Sequence, residues 1–159
     1  MSNNSPNQSD SPDIKVFPPL ASLIALAAQL GLWWFIFTGY TPSPAAFWTG
    51  VATLVVSAIL PIAGVIAFKR AGTNVNPHKT TLTIVTNGPY RFTRNPMYLG
   101  MVLFQIGLGL ALGNPWAAPA AILLWLSLHF GVVLKEEAYL TAKFGDDYTS
   151  LLARTRRWV

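Results

Sequence analysis

Two long stretches of this chain carry no Asp, Glu, Lys or Arg: positions 16–68, 53 residues, and positions 95–134, 40 residues. A chain of 159 residues cannot enclose these 93 positions in a water-soluble core, because so small a body has too much surface for its volume. Charged residues make up only 11% of the chain, against about 25% in soluble proteins. The hydrocarbon core of a bilayer is crossed by about 20 apolar residues, so the charge-free length is enough for about four crossings with short connections. Turn signals divide it that way. G-Y-T-P-S-P at 39–44 separates apolar segments at 20–37 and 47–68, the second with Pro61 as a kink site, and G-N-P at 113–115 separates 96–113 from 116–134.

Charge orients these crossings. The first 17 residues are rich in Ser, Asn, Pro and Asp, lack an apolar period and read as a disordered tail; Asp10, Asp13 and a single Lys15 fit a cleavable signal peptide poorly. That tail sums to −1, and the tail from Lys135 to +1. The 69–96 connection carries Lys69, Arg70, Lys79, Arg91 and Arg94 with no acid, and both short turns are uncharged. By the positive-inside rule the long connection and both termini are expected in the cytosol. The same bases attract the anionic headgroups of membrane lipids. Without a separate basic domain, nucleic acid is not an expected partner. There is no cysteine, and the two histidines, His78 and His129, sit in no metal-ligand spacing, so neither thiolate chemistry nor a metal site is expected.

The 69–96 connection is longer than a turn requires, and its composition is not that of disorder. T-T-L-T-I-V-T at 80–86 is β-branched and favours an extended path against the membrane face, and N-G-P at 87–89 marks a turn. Asn95 followed by Pro96 is a strong helix start, with Asn as N-cap and Pro at the first helical position. The free N–H groups and positive dipole end of the third helix then lie beside Arg91 and Arg94. These features fit a pre-formed anion site and fit equally well ordinary capping with interface-anchoring arginines.

Beyond the fourth segment the helical pattern continues. At about 100° per residue, Leu140 and Phe144 fall at roughly 40° and 80° from Glu136, and Glu137 at roughly 100°. Both glutamates therefore border an apolar face, where ionisable groups are costly and functional candidates by default. His129 precedes Glu136 by seven residues, nearly on the same face and two turns deeper, which makes it a structural hydrogen-bonding residue or part of a polar line into the bundle. Gly145 is placed to end this helix, and Asp146 or Asp147 to cap another with Tyr148, Leu151 and Leu152 inward. Arg154, Arg156, Arg157 and Trp158 close the chain as an interface anchor, the arginines paired with phosphates or with the acidic residues. The expected fold is all-α, a polytopic membrane protein with about four transmembrane helices, a structured cytosolic connection and a C-terminal amphipathic helical tail. Its parts are a tail at 1–17, a first transmembrane hairpin at 18–68, and at 69–159 the connection, second hairpin and C-terminal helices.

The segment N-G-P-Y-R-F-T-R-N-P-M-Y-L-G at 87–100, followed after one hydrophobic hairpin by E-E-A-Y-L-T-A-K-F-G-D-D-Y at 136–148 and an Arg-Trp end, resembles the isoprenylcysteine carboxyl methyltransferase and phospholipid methyltransferase group of integral membrane enzymes. The pattern of that group, G-x-Y-x-x-x-R-H-P-x-Y-x-G and then E-E-x-x-L-x-x-x-F-G-x-x-Y, is matched at Gly88, Tyr90, Arg94, Pro96, Tyr98 and Gly100, and at Glu136, Glu137, Leu140, Phe144, Gly145 and Tyr148. Each block alone is modest; both in order, one hairpin apart, are specific.

The resemblance implies a methyltransferase using S-adenosyl-L-methionine, with 69–159 as its catalytic region and a lipophilic or amphipathic acceptor, a carboxylate, amine or thiol, reached from the membrane lipids. It implies a cofactor site of Tyr90, Arg91, Arg94, Asn95, Tyr98, Gly100, Glu136 and Glu137, of which Arg94, Asn95 and Glu137 are the catalytic candidates. Arginines and a helix N-terminus suit the cofactor's carboxylate, glutamates its hydroxyls and cationic groups, and the tyrosines its adenine or sulfonium. Gly100 would let a ligand approach the backbone. Asn95 stands where the pattern has His and cannot act as a general base near neutral pH, which favours an acceptor that ionises readily or a base elsewhere, such as His129 or a glutamate. Two other functions fit part of the pattern: a nicotinamide-dependent membrane reductase of similar architecture, and a non-enzymatic scaffold or lipid-binding protein.

Overall fold

In the computed structural model, residues 12–36, 40–76 and 79–159 are described. They form six α-helices: α1 Pro18–Phe35, α2 Pro44–Arg70, α3 Pro96–Leu112, α4 Ala117–Leu128, α5 Leu134–Phe144 and α6 Asp146–Arg154. No strand occurs among them. A π-helical turn, His129–Val133, joins α4 to α5 in one continuous rod. Three helical rods, Pro18–Phe35, Pro44–Arg70 and Ala117–Phe144, are long and apolar enough to cross a membrane. The fourth apolar helix, α3, has 17 residues. At 1.5 Å per residue it rises about 26 Å, short of the roughly 30 Å of a hydrocarbon core.

α3 is the centre of the bundle. α2 and α4 both pack on it, while α1 packs on α4 and α3. The two helices of the 18–68 hairpin are thus neighbours in sequence held mainly by different partners. Glycines allow the α2–α3 approach: Gly107 lies against Leu54 and Gly50, and Gly50 faces the backbone of Ala111. Amides bind α1 to α3. Gln29 and Gln105 are fully buried; Gln105 Nε2 donates to the Ser22 carbonyl at 2.9 Å, and Asn114 Nδ2 to the Gln29 carbonyl at 3.1 Å. Gly113 ends α3 in the left-handed region, at φ 65°.

The chain before α1 departs from the sequence reading. The disordered tail expected at 1–17 does not extend over 12–17, for Ile14 is buried in the main apolar cluster with Leu128, Val132 and Val133. Gly131 leaves room for Val16, whose Cγ2 would lie 2.6 Å from any Cβ at that position. Lys135 Nζ completes the attachment, donating to the Asp13 carbonyl at 2.8 Å. Positions 1–11 and His78 lie outside the described residues.

The π-helical turn also changes which face His129 occupies. Such a turn inserts one residue into the α-helical register, so counting at 100° per residue misplaces groups on its two sides by about one position. His129 is accordingly not in line with Glu136. Its ring stacks on Trp125 with centroids 5.2 Å apart, and its Nδ1 accepts the Trp158 indole N–H at 3.4 Å. That is the structural hydrogen bond expected of it, with the chain's penultimate residue as donor. Trp158→Phe removes the donor and keeps most of the ring, so stability should fall by about 1 kcal/mol, measurable by thermal unfolding in detergent.

Candidate active site

The two sequence blocks meet at the end of the bundle where α3 begins. Asn95 and Pro96 start α3 as the sequence indicates, but the Asn95 side chain does not cap the helix. Its Nδ2 donates instead to the Arg157 carbonyl at 2.9 Å. Residues 93–95 run beside the C-terminal segment in a short parallel pairing: Arg94 N donates to the Arg156 carbonyl at 2.9 Å, and Thr93 Oγ1 to the Arg157 carbonyl at 3.1 Å.

This pairing sets two guanidinium groups around one carboxylate. Arg94 Nε and Nη2 donate to Glu137 Oε1 at 3.2 and 3.0 Å. From the other side Arg157 Nη2 donates to Oε2 at 2.7 Å, and its Nε reaches both oxygens at 3.0 and 3.1 Å. Arg94 Nη1 turns to the Leu152 and Thr155 carbonyls at the end of α6. The side chains of Arg94 and Glu137 are only 10% and 12% exposed. Pairing with Glu137 raises the pKa of Arg157, so the triad carries a fixed net positive charge.

A cavity of about 100 Å³ opens beside this triad. Tyr90, Tyr98, Glu136, Arg94, Asn95 and Glu137 contribute polar groups to its wall, and Val85, Val133 and Leu140 apolar surface. Pro12 and the non-helical residues 74–76 and 81–85 cover it. The Tyr98 hydroxyl donates to Glu136 Oε1 at 2.9 Å. Burial, reinforced by the charge of Glu136, holds the Tyr90 phenol well above its usual range. Burial likewise raises Tyr148. Both phenols are neutral at any physiological pH.

Six of the residues singled out in the sequence therefore line one cavity: Tyr90, Arg94, Asn95, Tyr98, Glu136 and Glu137. Two are not brought to it. Arg91 is exposed outside the lining. Gly100 faces α2, where an added Cβ would lie 2.7 Å from Pro61 Cδ and 2.8 Å from the Ser57 carbonyl oxygen, so its lack of a side chain serves helix packing. Arg157 and Thr155 join this network from the C-terminal segment, read in the sequence as an interface anchor whose arginines pair with phosphates or with the acidic residues; Arg157 takes the second course.

Residues 45–147 match the phospholipid methyltransferase family. The chain belongs to this family. Outside the matched region lie α1, the Pro12–Phe17 approach and the C-terminal segment with Arg157. Among similar proteins, an uncharacterized protein of Haemophilus influenzae is 36% identical over 63 residues, which cover 40% of this chain and all of that one. A protein-S-isoprenylcysteine O-methyltransferase of Schizosaccharomyces pombe is 34% identical over 65 residues, 41% of this chain and 28% of the yeast enzyme. No solved structure matches. The protein is thus a membrane protein and a methyltransferase by family, with its two family-like blocks folded onto one cavity.

Proposed function

We propose that this protein transfers a methyl group from S-adenosyl-L-methionine to a lipophilic or amphipathic acceptor at the cytosolic face of its membrane. The observation that carries this reading is the cavity itself: in a member of a methyltransferase family, Glu136 brings to it a carboxylate without a cationic partner among the described residues, next to two neutral tyrosines and apolar walls. This donor set fits the cofactor. The carboxylate of Glu136 suits the sulfonium charge, the Tyr90 and Tyr98 rings suit a cation or a flat base, and Val85, Val133 and Leu140 suit adenine. When bound, the cofactor supplies a methyl group on a positively charged sulfur.

The chain's own residues align and exclude water, which is most of what an in-line displacement needs. Arg94, Asn95, Glu137 and Arg157 hold the start of α3, the rod carrying Glu136 and the C-terminal segment in one arrangement. The position of Glu136 fits a reaction at the membrane edge, since the 20 residues from Ala117 rise about 30 Å, a full hydrocarbon thickness. The charge of the 69–96 connection supports a cytosolic location for this end. The cavity of about 100 Å³ is smaller than the several hundred Å³ that ligands of this size fill, so binding requires the non-helical residues against it, among them Pro12, 74–76 and 83–85, to move outward.

Two measurements test the proposal. Titration of the detergent-solubilised protein with S-adenosyl-L-homocysteine should show saturable heat, and no binding at millimolar concentration would end the cofactor assignment. Incubation with radiolabelled methyl donor and a total membrane lipid extract should label a discrete product, and its identification names the acceptor.

A further inference from the structure

The adjacent glutamates have different surroundings, and the difference separates their roles. Glu137 has both oxygens bound by guanidinium groups, Arg94 on one side and Arg157 on the other. Glu136 makes no ion pair among the described residues; its Oε1 accepts one hydrogen bond, from Tyr98, and Oε2 accepts none. Among the described residues, the other groups lining the cavity that the reaction could draw on do not exchange a proton readily. Asn95 is an amide and the tyrosines are neutral donors. His129 is not in the lining, and its Nδ1 is taken by Trp158.

We infer that Glu136, and not Glu137, is the catalytic base, and that the acceptor carries a proton on the atom that is methylated, as an amine or thiol does and a carboxylate does not. The inference rests on the proposed methyl transfer. In the step, the acceptor heteroatom's lone pair forms the new bond to the methyl carbon, and the electron pair of the carbon–sulfur bond returns to sulfur. The heteroatom's extra proton passes to Glu136 Oε2, which becomes a neutral acid and later releases it to solvent. Tyr98 fixes the carboxylate through Oε1 and leaves Oε2 as the oxygen that takes the proton. Glu137 is a positioning residue that acts through Arg94 and Arg157.

The test compares wild type with Glu136→Gln and Glu136→Asp in three readouts: label transferred from the methyl donor into the total membrane lipid extract, affinity for S-adenosyl-L-homocysteine, and base stability of the labelled product. S-adenosyl-L-homocysteine has no sulfonium charge, so Glu136→Gln should bind it within threefold of wild type while losing at least 100-fold in labelling, with part of the rate regained in Glu136→Asp. The product should resist mild base, as an N-methyl or S-methyl group does and a methyl ester does not. Glu136→Gln labelling near wild-type rate, a parallel loss of S-adenosyl-L-homocysteine affinity, or a base-labile ester product would each overturn the inference. Failure of the wild type to bind S-adenosyl-L-homocysteine or to label any product would instead remove the proposed function beneath it.

Discussion

Glu137→Gln should lower the unfolding midpoint of the detergent-solubilised protein by about 6–12 °C. Removing one partner of a buried ionic group costs about 3–5 kcal/mol, because the remaining charge is left uncompensated in a poorly hydrated place. Here the amide of Gln keeps the shape and one acceptor, so the lower end of that range, about 3 kcal/mol, is expected, and each kcal/mol moves the midpoint by about 2–4 °C in a chain of this size. The effect should spread beyond the pair. Arg94 also holds the Leu152 and Thr155 carbonyls, and Asn95 holds Arg157, so loosening Glu137 releases the C-terminal segment from the start of α3. Arg156→Gln is the control, since this exposed neighbour contributes only its backbone carbonyl. An unchanged midpoint in Glu137→Gln would mean that the triad orders the site without supporting the fold.

The position of that triad shows what the sequence could reveal. The apolar segments, the Asn95–Pro96 helix start and the break at Gly145 are local signals, and each coincides with an element boundary within a few residues. The pair Glu136 and Glu137 stood out because carboxylates on an apolar face near a membrane need partners. Arg94 was available as one partner in the matching motif. The second, Arg157, is 20 residues from Glu137 and 62 from Asn95, in a segment whose Arg-Trp composition fits an interface anchor as well as an ion pair. Other features left no periodic trace. A π-helical turn breaks the constant 100° step on which face assignments depend, which is why His129 turned out to face Trp158 instead of Glu136. The burial of Ile14 depends on an apolar cluster that exists only once α3, α4 and the π-helical turn are assembled, and Val16 settles against Gly131 of that turn.

Gly100→Ala separates the two explanations for a glycine in the first motif. If Gly100 lets a ligand approach the backbone, the variant should fold normally and bind S-adenosyl-L-homocysteine poorly. The structure favours the other outcome. A Cβ at Gly100 would meet Pro61 Cδ at 2.7 Å and the Ser57 carbonyl oxygen at 2.8 Å, a proline ring and a backbone atom that cannot rotate away. α3 would have to move off α2, at an overpacking cost of about 2–3 kcal/mol and a midpoint lowered by about 5–10 °C. Tyr98 lies two residues away on the same helix, so ligand affinity should fall as a consequence of the displacement. Gly31→Ala supplies the comparison, since nothing lies within 4 Å of its Cβ position and replacing a mid-helix glycine there should raise stability by about 0.5–1 kcal/mol. A thermal midpoint for Gly100→Ala equal to wild type, with ligand affinity lost, would return this glycine to the ligand site.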